Sequence, residues 1–113
     1  MITLGCKTIS VEELIKCSFA IGKTEMAIMS LLMKEGGITS QEISSDLDKD
    51  ITTVQKSLKV LSEKGLVVRK QENLGNGGYK FIYSAVPSER IRTMIKKNLD
   101  NFKEKVLESV ENI

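Results

Sequence analysis

A mainly helical α+β domain with one small β-hairpin is the fold that this sequence predicts, and three observations predict it. Over residues 39–69 a short helical stretch, a tight turn and a longer helical stretch ending at a glycine run directly into a strand. That succession has the order of a helix-turn-helix followed by a wing. Two strand-like runs, 66–72 and 79–86, flank a loop rich in glycine and asparagine, and a long amphipathic stretch, 88–113, closes the chain.

Length and composition agree. The 113 residues suit one domain, 41% of them apolar and 28% charged. It divides into an N-terminal helix over 10–21, a helix-turn-helix core with its hairpin over 24–86, and a C-terminal helix over 88–113. No apolar run approaches the roughly 18 residues that would span a membrane. The N-terminus, Met1-Ile2-Thr3-Leu4-Gly5-Cys6, lacks the basic and apolar blocks of a signal peptide, so a cytoplasmic protein is expected.

The elements follow in order. Ser10-Val11-Glu12-Glu13 has the form of a capping box, so a helix starts at Val11 and carries Leu14, Ile15 and Phe19 on one stripe toward Ile21, with Gly22 ending it. Gly22-Lys23-Thr24 fails as a phosphate-binding loop, because Cys17 stands where that motif needs its first glycine. Thr24 is read as the N-cap of the next helix, with Glu25 near its positive end. Residues 25–35 are apolar almost all round, which marks a central helix with its methionines in the core. Gly36-Gly37 stops it, and Ile38 is placed to form a strand of one or two residues.

Thr39 or Ser40 then caps a helix over 41–47, and Asp48-Lys49-Asp50 makes the turn. With Asp50 or Thr52 as cap, the helix over 51–64 places Ile51, Val54, Leu58 and Leu61 on one buried stripe, at spacings of 3, 4 and 3. Its other face shows Thr52, Thr53, Gln55, Lys56 and Lys59, with no acid until Glu63. Gly65 stands at the C′ position. In the second strand Tyr79, Phe81, Tyr83 and Ala85 share a face, expected to cover the helical core. In the last helix Ile91, Ile95, Leu99, Phe102, Val106, Val110 and Ile113 recur at 4, 4, 3, 4, 4 and 3. About 25 residues give roughly 37 Å of helix, more than a small domain needs. The N-terminal helix, through Leu14, and the same helix of a second chain are the natural partners of that stripe, which predicts a symmetric homodimer.

Charge distribution carries more than the net value of +2. Residues 1–48 hold four basic and seven acidic groups, whereas 49–80 hold seven basic and three acidic, so positive charge gathers on the helix-turn-helix. Cys6 and Cys17, with no histidine in the chain, cannot build a zinc site and are read as free, inert packing thiols. No catalytic constellation is visible, and no metal or other cofactor is implied.

From Thr24 to Arg69 the sequence resembles the winged-helix domains of the MarR and TrmB-like regulators. Thr24, Ile28, Leu31 and Leu32 carry the resemblance in the central helix, Thr39, Glu42, Ile43 and Leu47 in the next, and Val54, Leu58 and Leu61 in the third. Glu63-Lys64-Gly65-Leu66-Val67 followed by Arg69 is its most specific part. The resemblance implies a winged helix-turn-helix with N- and C-terminal dimerisation helices, acting as a dimeric transcriptional regulator. Helix 51–64 is then the recognition helix, with Thr52, Thr53, Gln55 and Lys56 toward bases in the major groove and Lys59 nearer the phosphates. Ser40, Arg69, Lys70, Asn76 and Lys80 complete the expected DNA-facing set. The wing departs from the MarR pattern, since its tip offers Asn73 and Asn76 in place of arginine and its base Lys70 and Lys80. Phosphate contact is therefore expected of it, not minor-groove reading.

The expected partners are double-stranded DNA with a pseudo-palindromic operator and a second copy of the chain, with no membrane. No residue pattern specifies a small-molecule effector or assigns Cys6 or Cys17 as a sensor. A rival reading takes the winged helix as a protein-interaction module of a transcription or replication assembly, because the fold serves both uses. The basic segment 49–80 and the acid-free recognition face favour DNA.

Overall fold

The computed structural model describes residues Met1 to Ile113. In chain order the elements are β1 (Ile2–Leu4), β2 (Lys7–Ile9), α1 (Val11–Phe19), α2 (Lys23–Glu35), α3 (Ser40–Leu47), α4 (Ile51–Glu63), β3 (Val67–Asn73), β4 (Tyr79–Ala85) and α5 (Ser88–Glu111). They form two compact units, one of Ile21–Val86 and one of Met1–Ala20 with Pro87–Ile113. None of the helices is long and apolar enough to cross a membrane.

The unit of residues 21–86 holds most of the core. α2 contributes Met26, Ile28, Met29 and Leu32, α3 Ile43, and α4 Val54, Leu58 and Leu61, all buried, with Leu66 and Val67 entering from the start of the hairpin. Each such side chain stabilises the fold by about 1.5–3 kcal/mol through the apolar surface it removes from water. α2 is less completely covered than its composition predicts, since Met33 is 47% exposed.

Helix boundaries follow local chemistry. α3 begins at Thr39, whose Oγ1 accepts from the Glu42 N–H while the Glu42 carboxylate accepts from the Thr39 N–H, a reciprocal capping box. Asp48 ends it in the left-handed region at φ 51. The expected cap at Thr24 is displaced. Gly22 caps α2, and its N–H donates to Glu25 Oε1 at 2.9 Å. The preceding helix accordingly stops at Phe19, with Ala20 at φ 53, and does not run on to Ile21.

β3 and β4 form an antiparallel hairpin, registered from Val67↔Ala85 to Asn73↔Tyr79. Ile38 adds the expected short third strand, exchanging two backbone hydrogen bonds with Tyr83 at 3.1 and 2.8 Å. The aromatic row on β4 covers the core only in part, Phe81 and Tyr83 being half-buried beside core residues Leu58 and Val67. Tyr79 is 58% exposed, and Phe81 and Tyr83 line an open cleft beside α4. The alternate face of β4 meets the Gly37 backbone through Ile82 and Ser84, and α2 also packs on this strand.

In the other unit α1 packs on α5, and Asn98 Nδ2 donates to the Ser18 carbonyl at 3.1 Å and to Ser18 Oγ at 3.0 Å. The capping box at Ser10 forms as predicted, Glu13 N–H to Ser10 Oγ at 3.1 Å. The β1–β2 hairpin was not anticipated from the sequence. Its strands have three residues each, too few to show an alternation, and Gly5 at φ +52 opens the two-residue turn between them. Cys6 and Cys17 are both exposed, which corrects their reading as packing residues.

Candidate nucleic-acid interface

Helix α4 presents the expected polar face because its opposite face is fixed by burial. Val54, Leu58 and Leu61 are at most 1% exposed, and their spacing sets the rotation of the helix about its axis. Thr52, Thr53, Gln55, Lys56 and Lys59 are consequently exposed, and the helix carries no acidic side chain before Glu63. Asp50 lies just ahead of it as N-cap, its carboxylate accepting from the Thr53 N–H at 3.3 Å.

One polar side chain of α4 turns inward. Ser57 is buried and its Oγ donates to Glu25 Oε2 at 2.9 Å, so α4 is tied to the start of α2 by a charge-assisted hydrogen bond.

Between α4 and the hairpin lies an open cleft of about 620 Å³, lined on one side by Gln55, Lys59 and Ser62 and on the other by Arg69, Phe81 and Tyr83. The Arg69 guanidinium sits 4.1 Å from the centroid of the Phe81 ring, and Tyr79 meets that ring edge-on at 5.3 Å. Sequence reasoning missed Ser62, Phe81 and Tyr83 as members of this surface. The strand register, which sets Arg69 opposite Tyr83 and Gln71 opposite Phe81, is the signal that brings them in.

The remaining predicted contacts scatter. Ser40 is buried, its Oγ 3.5 Å from Gln41 Oε1. Lys70 and Lys80 alternate with Arg69 and Phe81 along their strands and so lie on the other face of the hairpin. Lys80 Nζ is 3.9 Å from Glu72 Oε1, the one ion pair in the chain. Asn76 uses its Oδ1 to accept from the Gly78 N–H at 3.2 Å, bracing the turn at the wing tip.

The predicted dimer stripe on α5 divides in two. Ile91 is buried within the chain and so drops out of any surface, and Ile95 and Leu14 are half-buried. Leu99, Phe102, Val106, Val110 and Ile113 are 41–101% exposed. Shallow grooves follow this row, one of about 400 Å³ reaching Leu14, Cys17 and Asn98, the other of about 430 Å³ running from Phe102 to Ile113.

Residues 15–89 match the family described as "Sugar-specific transcriptional regulator TrmB". Two uncharacterized proteins of Methanocaldococcus jannaschii are similar in sequence. One is 31% identical over 96% of this chain and 82% of its own length, the other 33% identical over 88% and 82%. Among solved structures, a possible transcriptional regulator from Methanosarcina mazei Go1 is 32% identical, covers 99% of this chain and 95% of its own, and superposes with a TM-score of 0.88. A MarR-family regulator from Enterococcus faecalis V583, at 18% identity, a TM-score of 0.58 and coverage of 96% and 97%, shares the fold.

Proposed function

The chain belongs to the TrmB family of transcriptional regulators, and from that premise we propose that it reads a pseudo-palindromic duplex site as a homodimer, with α4 in the major groove. The observation that carries this reading is the exposed, acid-free face of α4. Thr52, Thr53, Gln55 and Lys56 lie on its first turns, where a recognition helix meets base edges. Gln55 suits a bidentate pair with adenine, and Lys56 donates to guanine. Lys59, further along, and Arg69 across the cleft supply positive charge for the flanking phosphates.

A single such helix reads few base pairs, so selectivity calls for a second copy. The exposed row from Leu99 to Ile113 supports one, because apolar surface of this extent is rarely left open to water on a lone helix face. Two-fold pairing sets half-sites about one helical turn, ~10 base pairs, apart. Lys80, already paired with Glu72, is assigned a lesser part than Arg69.

The test is a titration with random and selected duplexes over a series of salt concentrations. Affinity that falls steeply with salt, and a selected duplex preferred over random sequence, support the reading. Absence of binding to any duplex at low salt overturns it and leaves the protein-interaction module.

A further inference from the structure

Arg69 is exposed, has no carboxylate within ion-pair distance, and instead rests on an aromatic face. We propose that Phe81 is a positioning residue for DNA binding, its ring holding the Arg69 guanidinium at the mouth of the α4–hairpin cleft so that it meets a backbone phosphate already oriented. The inference rests on the duplex-binding reading and goes beyond it in assigning a role to a residue that touches no nucleic acid.

A carboxylate partner would fix an arginine and also quench it, as Glu72 offsets Lys80 on the opposite face of the same hairpin. A π face fixes the guanidinium plane while leaving its charge and in-plane N–H edges free for a bidentate phosphate contact. The ring is itself held. Tyr79 meets it edge-on at 5.3 Å, and the antiparallel register keeps Phe81 diagonal to Arg69 across the hairpin. With Lys59 lining the same cleft from α4, the positive groups on its two walls converge on one strand of phosphates. Loss of the ring returns Arg69 to its many rotamers, and that ordering then has to be supplied on binding.

The experiment compares the parent chain with F81L, R69Q, the double variant F81L/R69Q and F81W in duplex titrations over a salt series, with thermal unfolding of each to confirm folding. R69Q is expected to weaken binding and flatten the salt dependence by about one phosphate, a slope change of ~0.9. F81L is expected to weaken binding by about two- to fivefold with the slope unchanged, since the charge remains. The double variant should bind like R69Q alone, because the ring acts only through the arginine, and F81W should restore the parent affinity. A parent that binds no duplex overturns both the duplex reading and this inference. A binding parent with F81L at parent affinity, with R69Q at parent affinity, or with fully additive losses overturns the inference alone.

Discussion

Ser57 and Glu25, 32 positions apart in the chain, share one part-buried hydrogen bond, Oγ to Oε2 at 2.9 Å, while the other oxygen of the same carboxylate caps α2 through the Gly22 N–H. One side chain thus caps the start of one helix and ties it to another, the one that presents Gln55 and Lys56. Ser57→Ala removes the donor and leaves a carboxylate oxygen without its partner. A loss of about 1–3 kcal/mol in urea-unfolding free energy is expected. Glu25→Ala should cost more, since it also removes the cap. The two losses should be less than additive, which a double-mutant cycle reads directly.

Gly37 is tight for a different reason. A Cβ there would stand 2.7 Å from Ile82 Cγ2 and 3.0 Å from Ser84 Oγ, at the point where Ile38 bonds to β4. Gly37→Ala is expected to push the short strand off the hairpin and cost about 1–3 kcal/mol. Hydrogen exchange at the Ile38 and Tyr83 amides should quicken in the variant. Gly75→Ala at the wing tip, with nothing within 4 Å, provides the control and should change stability by less than about 0.5 kcal/mol.

Helix α4 was legible because period and chemistry coincide there. Ile51, Val54, Leu58 and Leu61 fix one face, so Gln55 and Lys56 follow on the other by geometry alone, and Asp50 and Gly65 mark the ends. The hairpin was legible as strands but not as faces. Alternation assigns Tyr79, Phe81 and Tyr83 to one side without saying whether that side is covered, and the answer depends on which side of β4 approaches Gly37. Ser40 and Ile91 were expected on open surfaces and are buried, because amphipathic spacing ranks faces but cannot tell chain-internal burial from an open surface. The β1–β2 hairpin was missed because its side chains bury almost nothing.

Base reading is assigned to Gln55 and Lys56, so Q55A/K56A is expected to weaken binding to a selected operator by roughly 10- to 100-fold while random duplex loses much less. Competition titrations against both duplexes give the specificity ratio. A double variant that keeps the parent ratio would show that another surface reads the sequence.

Lys80 offers a test of compensation. Glu72 sits 3.9 Å from it on an exposed strand face, so the pair is worth little to stability, about 0–1 kcal/mol. Glu72→Gln should therefore leave unfolding nearly unchanged while strengthening low-salt duplex binding and steepening its salt dependence, by up to about 0.9 in slope if Lys80 then reaches a phosphate. An unaltered slope would place this face of the hairpin away from the DNA.

The division of the α5 stripe separates stability from assembly within one helix. Ile91 is 4% exposed and Phe102 66%. Ile91→Ala should cost about 2–5 kcal/mol of folding stability. Phe102→Glu should cost the isolated chain little, because its ring is already in water, yet it places a charge in the middle of the exposed row between Leu99 and Val106. Sedimentation equilibrium is then expected to find the parent dimeric and the Phe102→Glu chain monomeric, with thermal unfolding at a fixed low protein concentration shifted far more by the first substitution than by the second. Operator affinity should fall with dimer loss, toward the weak binding of a single half-site, although every residue of α4 is intact. If Phe102→Glu leaves the parent dimeric, the copies meet through some other surface, and the row from Leu99 to Ile113 serves a different partner.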